Sequence, residues 1–171
     1  MAATISTVYV TVGSTKFDAL IQQITSDDIL KILKKKGCRK LILQVGKGLR
    51  VEEDKIGHKY NIQVEQYDFK IEPKRMDIIN SDLVVGHAGA GTCLDILTAR
   101  KLGILVINDQ LMNNHQQELA LHMKKECYLQ CCTVDELKTA LENVNTEKRN
   151  MYEPGKNMNK FVEFMDDLLA N

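Results

Sequence analysis

The chain has 171 residues, with 23 Lys and Arg against 23 Asp and Glu, and 44% of the residues are hydrophobic. A chain of this length is expected to form one domain and to bury roughly two thirds of its unfolded surface, so its core needs no disulfide or metal. The formal net charge of zero argues against nucleic acid as a partner, because such partners are bound through a basic excess or stripe.

The sequence carries neither the pattern of an export signal nor that of a membrane span. Its first residues alternate apolar side chains with Thr and Ser, and nothing approaches about eighteen consecutive apolar residues. The five cysteines have no paired spacing, and no complete Asn-x-Ser/Thr sequon occurs. These features predict a cytoplasmic protein.

Short β-branched runs alternate with helical patterns along the chain. The run 8–12 predicts a strand that ends at Gly13, and apolar residues then recur at helical spacing at Phe17, Leu20, Ile21 and Ile24. Further strands are predicted over 41–45, 62–67, 82–86, 103–107 and 127–131. Strands separated by helices imply crossovers, so the pattern predicts an α/β, Rossmann-like, mostly parallel sheet with helices on both faces.

Composition divides the chain into a domain, a linker and a last helix. We assign 1–145 to the α/β domain and 146–159, which is polar and contains Pro154-Gly155, to the linker. The predicted helix 160–171 carries an apolar stripe formed by Phe161, Phe164, Met165, Leu168 and Leu169. This stripe either packs on its own domain or docks a partner, and the sequence leaves both alternatives open.

Parallel sheets of this kind bind ligands outside the carboxyl ends of their strands, and the segment 86–95 follows one such strand. Its residues Gly89, Ala90, Gly91 and Thr92 are small, so backbone N–H groups at a helix start can approach an anion such as a diphosphate. Neither standard nucleotide fingerprint occurs in the chain. The alternative is that 92–95 forms only a capping box.

Two further features point to a nucleotide sugar. Asp95 lies one helical turn beyond the predicted phosphate site, where its carboxylate can accept hydrogen bonds from a ribose. The loop 108–118 gathers amide and carboxyl side chains around His115, which suits the neutral hydroxyls of a sugar. The alternative for this loop is a polar turn whose Asn114 caps the next helix.

The remaining candidates are weaker signals. The residues Gly13, Ser14 and Thr15 can place N–H groups and hydroxyls near a phosphate, or they can form an ordinary N-cap. His87 and His115 follow predicted strands and can titrate near neutral pH. The cysteines are expected to be core thiols, so we predict no metal ligands and no cofactor.

Four segments, taken in order over nearly the whole chain, resemble one family: 10–21, 81–92, 108–120 and 152–155. They are similar to the cytosolic catalytic subunits of the two-subunit UDP-N-acetylglucosamine (UDP-GlcNAc) transferases of dolichol-linked oligosaccharide synthesis. More distantly, they resemble the carboxyl-terminal donor half of the bacterial peptidoglycan N-acetylglucosaminyltransferase. The fold implied by this resemblance is the carboxyl-terminal half of a GT-B glycosyltransferase.

The resemblance implies a glycosyltransferase that is active as a heterodimer. This chain would bind UDP-GlcNAc, while a membrane-anchored subunit supplies the acceptor half at the cytosolic face of the endoplasmic reticulum. The second GlcNAc would pass with inversion to GlcNAc-diphosphodolichol during N-linked glycan precursor synthesis. The alternative is a non-catalytic nucleotide-sugar-binding or regulatory subunit, because an α/β fold with a phosphate loop does not establish catalysis.

The resemblance also implies roles for single residues. His87 would lie at the reacting centre, Asp95 would bind the ribose, and Gln116 with Gln117 would bind the sugar hydroxyls. The whole implied substrate-binding set is Gly13, Ser14, Thr15, Gly89, Ala90, Gly91, Thr92, Asp95, Asn114, His115, Gln116 and Gln117. Ser14 and Asp95 depart from the Thr and Glu that the family has more often at these positions.

Overall fold

The computed structural model describes residues 4–70, 74–108, 114–125, 128–144 and 162–163. Along these ranges each strand is followed by one helix, except the first strand, which is followed by two. The strands are β1 Thr7–Thr11, β2 Lys40–Gln44, β3 Gln63–Tyr67, β4 Leu83–His87, β5 Leu102–Val106 and β6 Gln130–Cys132. The helices are α1 Asp18–Ile24, α2 Asp27–Lys35, α3 Glu53–Tyr60, α4 Lys74–Ile79, α5 Ala90–Thr98, α6 Asn114–Lys125 and α7 Leu137–Glu142.

The strands form one sheet in the order β3-β2-β1-β4-β5-β6, and each neighbouring pair is parallel. The chain moves outward from β1 to β3 on one side and from β4 to β6 on the other, so the order reverses between β1 and β4. Thr11 pairs with Gly86, which brings the carboxyl ends of these two strands level. The prediction of a Rossmann-like parallel sheet is therefore confirmed.

The core lies on both faces of the sheet because its central strands are apolar on both sides. Val8 and Val10 of β1 pack in a cluster with buried residues of α1, α2, α3 and α7. Tyr9, which points to the opposite face, packs in a second cluster with residues of α4, α5 and α6. The expectation of helices on both faces is confirmed.

The predicted strand boundaries differ from the observed ones at two informative places. Strand β4 extends through His87, so this residue ends the strand and does not begin the loop. Strand β6 begins only at Gln130, opposite Ile104 of β5, whereas the sequence predicted a strand from 127. The Tyr128 N–H is used instead by the end of α6, where it donates to the Met123 carbonyl at 3.1 Å.

The predicted linker 146–159 lies outside the described residues. The predicted helix 160–171 also lies outside them except for Val162 and Glu163, which are helical and exposed. Among the described helices, none combines the length and the apolar character that a bilayer crossing requires. Cys38 and Cys93 are buried free thiols.

Two glycines offer a test of how tightly the helices pack on the sheet. A Cβ at Gly103 of β5 would lie 2.8 Å from Ile96 Cγ2 and 2.9 Å from Leu129 Cδ2, so we expect Gly103→Ala to lower the free energy of unfolding by about 1–3 kcal/mol. A Cβ at Gly57, inside α3, would meet only the Ile62 carbonyl oxygen at 3.7 Å. Gly57→Ala should therefore raise stability by about 0.5–1 kcal/mol. Urea unfolding measures the free energy of unfolding of both variants. Equal values for the two variants would contradict the prediction.

Candidate functional site

A cavity of about 280 Å³ opens at the carboxyl ends of β1 and β4, where the strand order reverses. This is the position at which open α/β sheets bind their ligands. The lining residues come from β1, β4, α4, α5 and the loops between them: Tyr9, Thr11, Gly13, Ser14, Ile78, His87, Gly89, Ala90, Gly91, Thr92 and Asp95. The cavity is the candidate functional site.

Eight residues that the sequence singled out come together in this lining: Gly13, Ser14, His87, Gly89, Ala90, Gly91, Thr92 and Asp95. Thr15 is not among the lining residues. Asn114, His115, Gln116 and Gln117 form the first turn of α6, and their side chains lie outside the described part of the structure. Their proposed contacts with a sugar therefore stay predictions.

The amino terminus of α5 faces the cavity with an open end. Gly89 is the N-cap and makes no side-chain cap, and the first helical bond runs from the Cys93 N–H to the Gly89 carbonyl at 3.0 Å. The N–H groups of Ala90, Gly91 and Thr92 precede this bond, and the first turn holds no acidic side chain. Backbone donors and the positive end of the helix dipole together favour an anion here.

Two of the three capping alternatives from the sequence, those for 92–95 and for 13–15, are wrong. Helix α5 begins at Ala90, so Thr92 lies inside its first turn and is not an N-cap. Helix α1 begins at Asp18 with Phe17 as its N-cap, which leaves the residues 13–15 in the loop before it. There the Thr15 N–H and hydroxyl both donate to the Val12 carbonyl, at 3.3 and 2.7 Å, and close a turn.

The imidazole of His87 lies between two glycines. A Cβ at Gly13 would lie 2.5 Å from His87 Cε1, and a Cβ at Gly89 would overlap His87 Nε2. Gly13 also has φ +63°, a left-handed conformation that disfavours other residues. His87 is only 8% exposed, so the loops after β1 and β4 together hold the ring at the cavity.

Asp95 lies in the second turn of α5 and lines the same cavity. It lies six residues beyond the N-cap Gly89 and three beyond Thr92, the last of the three free N–H groups, which is roughly 4 to 5 Å farther along the helix axis. A group bound at the open end of α5 and a second group contacted by Asp95 are therefore separated by about one sugar ring. This geometry is compatible with the predicted ribose contact.

Sequence reasoning missed three lining residues, Tyr9, Thr11 and Ile78. Tyr9 and Thr11 are two residues apart on β1 and so share one face of the sheet, a signal that was available from strand periodicity. Burial raises the pKa of Tyr9, and the nearby carboxylates of Asp77 and Asp95 act in the same direction. We therefore expect Tyr9 to stay a neutral hydrogen-bonding group at the cavity floor.

Tyr9 is connected to the surface by a hydrogen-bonded row of side chains. Its hydroxyl is 3.2 Å from that of Tyr67, which donates in turn to Asp77. Lys70 Nζ lies 2.8 Å from Asp77 Oδ2 and 4.1 Å from the centroid of the Tyr67 ring. Burial, followed by the bond to Asp77, raises the pKa of Tyr67. This row links Asp77 of α4 to the middle of β1 and to the last residue of β3.

The fold and the place of the cavity define a Rossmann-type domain of the kind that forms the carboxyl-terminal half of GT-B glycosyltransferases. Two crystal structures of glycosyltransferases share this fold with TM-scores of 0.58 and identities of 16% and 10%. The matched regions cover 96% and 98% of this chain but only 39% and 40% of the two enzyme chains. The chain thus corresponds to one half of such enzymes in fold.

The chain belongs to the glycosyltransferase family 28 C-terminal domain family, which it matches over residues 7–168, and within it to the ALG13 subunits. It is 30% identical over 171 residues to the UDP-N-acetylglucosamine transferase subunit ALG13 of Saccharomyces cerevisiae, covering 82% of this chain and 85% of that protein. A solution structure of ALG13 has a TM-score of 0.70, 24% identity and 98% coverage of both chains.

The human ALG13 subunit is 43% identical over 126 residues, which are 74% of this chain. The chain spans only about a tenth of the length of the human and mouse relatives that it matches, 11% and 10%. The predicted family and the predicted half-GT-B fold are confirmed by these comparisons.

The packing of His87 between glycines can be tested directly. We expect Gly13→Ala and Gly89→Ala to displace the imidazole and to lower the free energy of unfolding by about 1–3 kcal/mol, since both add a methyl group where the ring lies. Ser14→Ala, at an exposed position beside Gly13, should change stability by less than about 0.5 kcal/mol. The imidazole proton and nitrogen NMR shifts of His87 report the displacement, and unchanged shifts in both glycine variants would contradict it.

Proposed function

We propose that this chain binds UDP-GlcNAc and is the donor half of an inverting N-acetylglucosaminyltransferase. The observation that carries this proposal is the open amino terminus of α5, which faces a cavity at the reversal of strand order with Asp95 and His87 in its lining. Relatives that are named UDP-N-acetylglucosamine transferase subunits support the choice of the sugar nucleotide.

The diphosphate is bound by backbone and not by basic side chains in this proposal. The N–H groups of Ala90, Gly91 and Thr92 donate to its oxygens, and the loop at Gly13 and Ser14 closes the opposite side. Gly91 suits this role because a Cβ there would meet nothing within 4 Å, which leaves the helix end open to a ligand. The helix dipole also stabilises the charge of the departing UDP, so donor binding requires no metal ion.

The remaining groups of the donor are assigned along α5 and α6. Asp95 accepts hydrogen bonds from the ribose, and the amides of Gln116 and Gln117 bind the hydroxyls of GlcNAc. His87, at the end of β4, lies at the reacting centre and is our candidate for the catalytic residue of this chain. It would take the proton from the acceptor hydroxyl as that oxygen attacks the anomeric carbon and UDP leaves.

A partner subunit completes the active site. A cavity of about 280 Å³ on one α/β domain forms one wall of a cleft, while transfer between two large substrates needs a second wall that excludes water. The name "subunit" in the relatives supports an assembly. We propose a membrane-anchored acceptor half at the cytosolic face of the endoplasmic reticulum, GlcNAc-diphosphodolichol as the acceptor, and the helix predicted over 160–171 as the docking element.

Binding of the donor should not depend on a divalent metal. We expect UDP and UDP-GlcNAc to bind the purified chain in EDTA, with a change of less than about twofold when magnesium is added, since backbone donors and the helix dipole supply the phosphate site. Calorimetric titration measures this. Binding that disappears on chelation and returns with magnesium or manganese would show that the phosphate site has been assigned wrongly.

A transfer assay separates the enzyme subunit from an inert donor-binding subunit. Radiolabelled UDP-GlcNAc and the chain are incubated with and without membranes that contain the acceptor half and GlcNAc-diphosphodolichol. We expect product only when the chain and these membranes are both present. Donor binding with no product under any of these conditions would instead favour the non-catalytic, regulatory alternative.

Variants of Asp95 test whether this residue contacts the ribose or the diphosphate of UDP. We expect Asp95→Ala to weaken UDP binding by about 1–3 kcal/mol, because hydrogen bonds to a charged group are lost, and Asp95→Asn to recover part of that loss. Inorganic diphosphate, which has no ribose, should bind both variants like the parent. If UDP also binds both variants like the parent, Asp95 does not contact the ribose.

A further inference from the structure

The last residue of β2, Gln44, buries an uncharged polar side chain completely in the sheet. A buried amide destabilises the fold unless its hydrogen bonds are made. Gln44 Oε1 accepts from the Thr11 hydroxyl at 2.5 Å and from the Gly13 N–H at 3.0 Å. Gln44 Nε2 donates to the carbonyls of Gly13 at 3.0 Å and Asp68 at 2.8 Å. All four of these bonds reach the carboxyl ends of β1 and β3.

Two of these bonds hold the backbone conformation of Gly13. Both the N–H and the carbonyl of Gly13 are bound by the same amide group, and the Gly13 N–H is also 3.1 Å from Thr11 Oγ1. Gly13 has the left-handed φ of +63°, a conformation in which the loop after β1 turns toward the cavity. A side chain from the neighbouring strand therefore holds the conformation of this loop.

Gly13 in turn limits where the imidazole of His87 can lie. The position that a side chain of Gly13 would occupy is 2.5 Å from His87 Cε1, so the ring rests directly on this residue. Gly13 and His87 both line the cavity, whereas Gln44 is not among the lining residues. The contacts run from Gln44 to Gly13 and from Gly13 to His87.

We propose that Gln44 is a positioning residue for the donor site. It does not touch the ligand; it holds the backbone of Gly13, and through Gly13 it sets the diphosphate-facing loop and the place of the His87 ring. The assignment rests on the proposed function for the identity of the ligand, but the hold on Gly13 stands on the hydrogen bonds alone.

The chain contains a matched control on the next strand. Gln66 of β3 accepts from the Val51 N–H at 2.9 Å and donates to the Val51 carbonyl at 2.8 Å. The chemistry is the same reciprocal clamp of an amide on one residue, but Val51 precedes α3 and is not among the lining residues of the cavity. Replacing Gln66 therefore removes a similar pair of bonds away from the site.

The test compares Gln44→Met, Gln44→Asn and Gln66→Met in the full chain. Each variant is measured for its unfolding temperature, for its dissociation constant for UDP in EDTA well below that temperature, and for hydrogen exchange of the Gly13 amide without ligand. We expect Gln44→Met to weaken UDP binding at least tenfold and to speed Gly13 exchange at least tenfold. Gln44→Asn, which keeps the amide but withdraws it by one methylene, should fold and lose affinity to a smaller degree. Gln66→Met should lower only the unfolding temperature.

Three results would count against the proposal in different ways. Parent-like UDP affinity in Gln44→Met and in Gln44→Asn, with only the unfolding temperature lowered, would overturn the positioning role. An equal loss of affinity in Gln66→Met would overturn it as well, because the effect would then follow from stability in general. A parent chain that does not bind UDP would overturn the proposed function itself, and Gly13 exchange would then decide alone whether Gln44 holds the loop.

Discussion

Strand β1 pairs in parallel with β2 on one side and with β4 on the other, and this pairing decides where the helices and the cavity lie. Crossovers between parallel strands are right-handed. The crossover from β1 to β2 and the crossover from β4 to β5 run in opposite directions across the sheet, so their helices lie on opposite faces. The loops after β1 and β4 therefore diverge. The cavity opens in the space between them, and α5 enters that space with its amino terminus.

Buried polar side chains are concentrated at this end of the sheet. Within the described part of the chain, the buried polar and charged residues are Thr11, Gln44, Ser81, His87 and Asn108. All except Ser81 end a strand or lie within two residues beyond its carboxyl end. Because burying polar groups is unfavourable unless their hydrogen bonds are made, their clustering marks the part of the fold that is shaped for a site and not for stability alone.

Small residues make that arrangement possible in a tightly packed domain. Gly86 lets α5 approach β4, since a Cβ there would lie 2.5 Å from Thr92 Cγ2. Gly13 and Gly89 leave the volume that the His87 ring occupies. Each glycine removes a side chain where two elements meet at the cavity, so backbone N–H groups and the imidazole come close to the space where a ligand would lie.

Local sequence patterns were sufficient to predict the strands and helices of this chain and the region of its candidate site. Apolar periodicity and terminal glycines are local properties, and they were enough to locate the strands to within a residue or two for all but β6, and to single out Gly89–Thr92. Three features became visible only in the folded chain: α5 begins at Ala90, Tyr9 and Thr11 line the cavity, and Gln44 binds Gly13, from which it is 31 residues away. The physical reason is that strand order and side-chain hydrogen bonding join residues that are distant along the chain, and no local pattern records which strands become neighbours.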